Sequence, residues 1–118
     1  MHERIKATRE GLLGGKTASG YVVDDIVPFV ALPAFAALRQ WVMVFNPLNG
    51  RRVKALVLDV GPWNEHDYAY VFADARPASE SGTDTRGRTT NHAGIDLGEA
   101  VWTALDMHDN TLVSWEFI

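Results

Sequence analysis

The segment "WVMVFNPLNGRRVKALVLDV", residues 41–60, decides the fold. Its first five residues are apolar and suit a strand, and "NPLNG", residues 46–50, has the composition of a tight turn. Asn and Gly tolerate the positive φ that a hairpin turn needs. Residues 51–60 then alternate and become apolar on both faces. Because strands of this kind are typical of a closed barrel or a covered sheet, the segment predicts a hairpin within such a fold.

The rest of the chain reads mostly as strands around this hairpin. Three further segments have strand-like composition, and they are residues 21–33, 68–72 and 111–118. The best amphipathic helix is "DLGEAVWTALDM", residues 96–107, and we expect its body at about 97–106. Residues 1–13 are mostly polar and predict an N-terminal arm or a short helix, so the barrel domain is expected at 14–118. We therefore predict one mostly β domain with one main helix near the C-terminus.

Length and composition limit the classes of function. The chain has 118 residues, a formal net charge of −4 and no cysteine. Proteins that bind nucleic acid through its phosphates are usually basic, so nucleic acid is not an expected partner. Without cysteine, neither disulfides nor a thiolate zinc site can form. No apolar run reaches about 18 residues, so no membrane span is predicted, and the N-terminus does not read as a secretory signal.

A long polar segment, residues 73–94, precedes the predicted helix and has almost no large apolar residue. A loop of this length in a small domain is usually functional or disordered. Its Arg76, Arg86 and Arg88 are either solvated charges or groups that could bind acidic ligands. We expect residues 76–93 to form one wall of a groove.

Asp96 stands between Ile95 and Leu97 in "NHAGIDLGEAV", residues 91–101. One interpretation is a helix cap, because Glu99 follows at the spacing of a capping box. The other is chemistry, since burying a carboxylate without partners is costly and apolar neighbours raise its pKa. The positive end of the helix would lower the same pKa, and the sequence leaves the balance open.

Asp59 is the second candidate acid, at the end of the apolar stretch "ALVLDVGPW". It could cap the turn that follows, because Asp commonly accepts hydrogen bonds from nearby backbone N–H groups. Two carboxylates at the ends of elements could also line one groove. Their spacing in the sequence does not establish that they meet, and we predict that Asp59 and Asp96 lie in the same groove.

Four segments together resemble the rare lipoprotein A family: "GKTASG", "ALP", "VMVFNPLNGRRVKALVLDVGPW" and "GIDLGEAVWTAL". The resemblance covers roughly residues 14–118. It implies a closed six-stranded double-psi β-barrel, as in expansins, family 45 endoglucanases and MltA-type lytic transglycosylases. In such a barrel we expect Val57, Leu58, Leu105, Val113 and Trp115 to be buried and residues 78–90 to be exposed.

The resemblance also assigns roles to individual positions. Asp96 matches the proton-donating aspartate of the endoglucanases and expansins, and Asp59 matches the aspartate of the family's Asp-Arg-Gly-Pro motif. Thr17 matches a threonine near the groove. Two positions differ, because Val60 stands for the family arginine and Phe29 for the family histidine that is thought to help lytic catalysis.

The remaining candidates are aromatic, polar and basic residues near these acids. Trp63, Tyr68 and Tyr70 could stack against sugar rings or belong to the core, whereas Trp41, Trp102 and Trp115 lie in regular elements and are expected in the core. The predicted substrate-binding residues are Thr17, Trp63, Tyr68, Arg88, Asn91 and His92. The four histidines are scattered and their spacing is poor for a metal, so neither a metal nor a cofactor is predicted.

The function implied is cleavage of peptidoglycan by an aspartate acid/base, as a lytic transglycosylase or a glycosidase. Two alternatives stay open, a non-catalytic expansin-like barrel that binds glycan and an interaction module in a secreted or phage-related assembly. The expected partner is peptidoglycan or another polysaccharide. The resemblance implies a periplasmic, cell-wall or extracellular location.

Overall fold

The computed structural model describes all residues from Met1 to Ile118. The strands are β1 (His2–Arg9), β2 (Phe29–Leu32), β3 (Trp41–Phe45), β4 (Arg52–Val60), β5 (Ile95–Leu97) and β6 (Thr111–Phe117). There are two short helices, α1 (Tyr68–Val71) and α2 (Glu99–Ala104), and two 3₁₀ turns, Phe35–Ala37 and Ala78–Ser81. No helix has the length and apolarity needed to cross a membrane.

The six strands close into a barrel in the order β1-β5-β2-β4-β3-β6. β1 pairs with β5 and β2 with β4 in parallel, while the other pairs are antiparallel. Every pairing joins a strand of the first three to a strand of the last three. Exchanging β1, β2 and β3 for β4, β5 and β6 leaves the pattern unchanged. The prediction of a mostly β, closed six-stranded barrel is therefore confirmed.

The predicted β3–β4 hairpin is present. Val42 pairs with Ala55 and Val44 with Val53, and the Asn46 N–H donates to the carbonyl of Arg51 at 2.8 Å. Gly50 has φ 74°, the left-handed conformation that glycine adopts without a Cβ clash. Turn chemistry and alternation thus fix the register of this pair.

The core fills the barrel with side chains from alternating strand positions. All five residues expected to be buried are buried, namely Val57, Leu58, Leu105, Val113 and Trp115. The indole N–H of Trp115 donates to the hydroxyl of Tyr70, which donates to the carbonyl of Gly94 at 2.9 Å. Tyr70 and Trp102 lie in the core, but Trp41 is 45% exposed, so its expected core position is wrong. It sits outside because side chains on β3 alternate and its neighbour Val42 points inward.

The N-terminal arm expected at residues 1–13 is not observed, because His2–Arg9 form β1 of the barrel. Ile5 and Ala7 point inward and are fully buried, and Lys6 between them faces outward. Only two apolar residues mark this strand, so its pattern is faint in the sequence. These residues form a strand because they pair with β5 and β6, although their local composition does not predict a strand.

Two predictions of secondary structure are wrong. The segment at 68–72, predicted as a strand, forms α1, in which the adjacent residues Tyr70 and Val71 are both buried. The helix predicted at 97–106 is only Glu99–Ala104, so the fold has two short helices instead of one main helix. Asp96 lies in β5, where Ile95 and Leu97 both enter the core. The cap is Gly98 without a side-chain hydrogen bond, and hence no capping box forms.

The segment 73–94 is ordered by its own contacts. It contains the second 3₁₀ turn and a bridge between Thr83 and Thr89. Full exposure of residues 78–90 is wrong, because Ser79 and Asp84 are buried. These polar side chains are satisfied within the loop, for example by the hydrogen bonds that Asp84 accepts from the N–H groups of residues 86 and 88. A polar loop can therefore bury side chains without apolar residues.

Candidate functional site

The two predicted acids lie in one row across the barrel wall. Ala31 on β2 pairs with Asp59 on β4 at one side and with Asp96 on β5 at the other. Asp96 in turn pairs with Thr8 on β1. Paired residues on neighbouring strands present their side chains on the same face of a sheet. Asp59 and Asp96 are thus two strand spacings apart, roughly 10 Å between their Cα atoms.

Asp96 is held by a hydrogen bond from the hydroxyl of Thr8 to its Oδ1 atom. Burial raises the pKa of Asp96 to about 6, the Thr8 hydrogen bond opposes the rise, and the nearby charge of Asp59 adds to it. A carboxyl group with this pKa exists in both protonation states near neutral pH. It can therefore give or take a proton there.

Glu10 completes the group of acids and is not among the residues predicted from the sequence. It is the first residue after β1, two positions beyond Thr8, and its buried Oε2 atom has no hydrogen-bond partner. Burial raises the pKa of Glu10 to about 10, and the neighbouring Asp59 and then Asp96 add to the rise. Glu10 is therefore protonated at neutral pH. Alternation from Thr8 to Glu10 could have indicated a shared face, had β1 been recognised as a strand.

Asp59 is fixed by the backbone. Its Oδ1 atom accepts hydrogen bonds from the N–H groups of Ala18 at 3.0 Å and Val60 at 2.9 Å. Thr17, the other predicted site residue in this region, is buried and its hydroxyl lies 2.9 Å from that of Ser19. The turn at residues 17–20 thus lies against Asp59. Asp59 binds backbone N–H groups as a capping residue does, although from within β4.

A cavity of about 460 Å³ lies beside this row. Its lining residues are Thr8, Arg9, Glu10, Leu12, Pro62, Trp63, Asn91, Asp96 and Asn110. The indole N–H of Trp63 donates to Asn91 Oδ1 at 2.8 Å, and Arg88 donates to the carbonyl of Trp63 at 2.9 Å. The long loop therefore supports one side of the cavity. Asp59 is not among the lining residues.

Four of the six predicted ligand-binding residues, Thr17, Tyr68, Arg88 and His92, are not among the residues that line this cavity. Tyr68 is on α1 with 44% of its surface exposed, and its ring packs near those of His66 and Phe72. His92 places its Nδ1 atom 2.9 Å from the carbonyl oxygen of Glu80. Ligand binding by Tyr68 and His92 stays a prediction.

The three loop arginines are engaged by the protein's own acids. Arg76 pairs with Glu80, Arg86 lies 3.5 Å from Glu65, and Arg88 pairs with Asp84. Arg76 also donates to two backbone carbonyls of β1 at 2.6 Å each. These contacts fasten the loop to the barrel. The three arginines therefore make structural contacts within the protein, and binding of an acidic ligand by Arg88 stays a prediction.

No group of three or more His, Asp or Glu side chains has an arrangement suited to a metal ion. The three acids of the site differ in state, with Glu10 protonated and Asp96 titrating near neutral pH. Such a pocket can donate hydrogen bonds through Glu10 and accept them through Asp96. The arrangement suits a polar or hydrogen-bonding group of a bound partner.

Comparison with solved structures shows the fold in another protein. The chain is similar to the Streptomyces papain inhibitor (SPI), with a TM-score of 0.54 and 20% sequence identity, over 100% of this chain and 93% of that one. At this identity the likeness concerns the fold alone. A comparison with curated proteins gives no match.

The inferred membership of the rare lipoprotein A family is wrong. The functions that it implied, peptidoglycan cleavage, glycan binding and lytic transglycosylase activity, are therefore wrong as well. The similar solved structure does not belong to that family, and neither does the family model that matches residues 1–81 of this chain. The motifs that suggested it have structural uses here. Gly50 and Gly61 adopt positive φ at strand ends, and Ile95 and Leu97 fill the core. Any small closed barrel needs such turns and inward-facing pairs.

One protein-family model matches more than half of the chain. The matched residues include β1–β4 with Glu10 and Asp59, whereas Asp96 lies beyond them. Residues 1–81 match the family described as "Domain of unknown function (DUF8814)", and the chain belongs to that family.

Proposed function

We propose that this protein is a peptidase inhibitor whose target is a cysteine peptidase of the papain type. The observation that carries the proposal is the likeness to the Streptomyces papain inhibitor over the whole of this chain. At 20% identity the likeness concerns the fold alone, so the papain-type target is itself part of the proposal. The acidic net charge of −4 agrees with a protein partner better than with nucleic acid.

The state of the acids also supports binding over catalysis. Asp59 is occupied by two backbone N–H groups and does not line the cavity that Asp96 lines. An acid and a base that act on one substrate must both reach it. We propose instead that Asp96, Trp63 and Asn91 contact a side chain of the partner. Catalytic roles for Asp59 and Asp96, and ligand contacts for Thr17, remain predictions.

We also propose that the barrel is of the double-psi type. The support is the pattern of pairings, with two parallel pairs that exchange when the first three strands are exchanged for the last three. A periplasmic, cell-wall or extracellular location is also a proposal. An inhibitor at such a location could meet a secreted peptidase.

The test is an inhibition assay with the purified protein and papain. Papain activity on a fluorogenic peptide is measured as the protein is added, with a serine peptidase of the trypsin type as the control enzyme. We expect papain activity to fall with added protein, the control enzyme to stay active, and the chain to remain uncut on electrophoresis. Full papain activity at a large molar excess would refute the proposal.

A further inference from the structure

We infer that residues 10–16, the leucine loop, form the segment that enters the substrate cleft of the peptidase, an inference that rests on the proposed function. The loop follows β1 and carries the sequence Glu10-Gly-Leu-Leu-Gly-Gly-Lys16. Leu12, one of its two leucines, helps to line the cavity of the candidate site.

Both leucines of this loop are largely exposed. Leu12 is 69% exposed and Leu13 is 62% exposed, whereas the leucines of the core are fully buried. Moving a large apolar side chain out of water lowers its free energy. An exposed apolar patch on a protein therefore often marks a binding surface. Two adjacent leucines at a loop tip suit an apolar subsite in a cleft. Val22, which forms an isolated β-bridge with Lys16 of this loop, is also exposed, by 57%, and adds apolar surface next to the loop.

The backbone of the loop is held in one conformation. Gly11, Leu12 and Gly14 have φ values of 66°, 59° and 82°. A leucine at positive φ is strained, and such strain persists only where surrounding contacts impose it, often at functional sites. The N–H of Gly15 donates to the carbonyl of Leu12 at 2.7 Å and closes the tip. A preorganised loop loses little conformational entropy on binding.

Backbone hydrogen bonds anchor the chain on both sides of the tip. Such anchoring is expected of an inhibitor loop, whereas the cut ends of a substrate are released. The N–H of Glu10 donates to the carbonyl of Leu97 at 2.9 Å, and the N–H of Gly14 donates to the carbonyl of Val23 at 2.9 Å. The N–H of Val23 returns a bond to Gly15 at 2.8 Å. If the peptidase cut the tip, these bonds would hold the two new ends in place. Religation would then compete with release.

A second exposed apolar surface offers an alternative contact. It is an aromatic row in which Phe35, Tyr68 and Phe72 are each nearly half exposed. Their rings lie close to those of His66 and Phe117, at centroid distances of 5.4 to 6.0 Å. These residues are covered in part by one another and form a broad face. A broad face fits a narrow substrate cleft less well than a loop tip does.

The experiment compares papain inhibition by the wild type with that by three variants. Leu12→Gly removes one side chain and suits the positive φ, so this variant should keep its melting temperature. The double variant Leu12→Ala/Leu13→Ala removes both side chains. The matched control is Leu48→Ala, an exposed leucine at 79% on the β3–β4 turn.

We expect the inhibition constant to rise about tenfold or more for Leu12→Gly and about a hundredfold for the double variant, as buried anchors of an interface require. Leu48→Ala should inhibit as the wild type does. If both loop variants match a wild type that inhibits papain, the inference is overturned and the proposed function stands. An equal loss in Leu48→Ala would also overturn it. A wild type without inhibition overturns the proposed function and this inference with it.

Discussion

Replacing Glu10 with glutamine should stabilise the protein at neutral pH. The buried carboxyl group of Glu10 has an oxygen without a partner, and its pKa is raised from 4.5 to about 10 by burial and by Asp59 and Asp96. In the unfolded chain the same group is ionised at pH 7. Folding at pH 7 must therefore add a proton to Glu10, and this requirement lowers the free energy of unfolding.

The magnitude follows from the two pKa values. Protonating a carboxyl of pKa 4.5 at pH 7 costs about 3 kcal/mol, since each pH unit corresponds to about 1.4 kcal/mol. Partial contact of Glu10 with solvent reduces the expected gain of Glu10→Gln to about 1–2 kcal/mol. For a domain of this size that gain raises the melting temperature by roughly 3–10 °C.

The sign of the pH dependence is specific. A carboxyl group whose folded pKa is raised contributes no penalty below its unfolded pKa, and the penalty grows as the pH rises toward the folded value. The difference between Glu10→Gln and the wild type should therefore be near zero at pH 4 and increase steadily to pH 7 and beyond. Asp96 titrates in both proteins and largely cancels in the difference.

The assay is urea unfolding followed by tryptophan fluorescence at several pH values between 4 and 8. The control is Glu3→Gln, the same chemical change at an exposed position of β1, which should leave stability unchanged. If Glu10→Gln is no more stable than the wild type at pH 7, or if its effect does not change with pH, then Glu10 is ionised in the folded protein and the reasoning is refuted.

Three further predictions concern the same barrel. Asp96→Asn removes a carboxyl whose pKa is raised from 3.8 to about 6, so urea unfolding should show a gain of up to about 3 kcal/mol at pH 7 and little change at pH 4. Tyr70→Phe leaves the indole N–H of Trp115 without its acceptor and should cost about 1–3 kcal/mol in the same assay, with an unchanged native circular dichroism spectrum. Gly98→Ala would place a Cβ atom in steric conflict with the Phe29 ring and should cost about 1–3 kcal/mol, whereas Gly87→Ala, with open space around it, tests for the positive-φ penalty alone.

The parts of the fold that the sequence predicts are those with local signals. The β3–β4 hairpin is marked by alternation and by a turn whose Gly50 needs positive φ. β6 is marked by alternating residues around Trp115. The prediction fails where partners far along the chain decide the structure. β1 has only Ile5 and Ala7 as inward apolar residues, and it is a strand because β5 and β6 flank it.

The candidate site could be predicted only in pieces. Asp59 and Asp96 attract attention because each carboxylate has apolar neighbours, which is costly unless the carboxylate is bound or functional. Their common neighbour Ala31 is set by register between strands that are distant in sequence, and no local pattern indicates that register. Glu10 is hidden for the same reason. The exposure of Leu12 also needs the folded structure, because an apolar loop residue in sequence reads as part of a core.

The interleaved pairing of the barrel has a consequence for its synthesis. While the ribosome makes the chain, β1, β2 and β3 emerge first, and none of them pairs with another of the three. No ladder can form until β4 is released, and the barrel cannot close until β6 follows. Pairing over such distances along the chain favours slow folding. For the same reason, two fragments cut at the β3–β4 turn would each lack any strand pair and could regain structure only together.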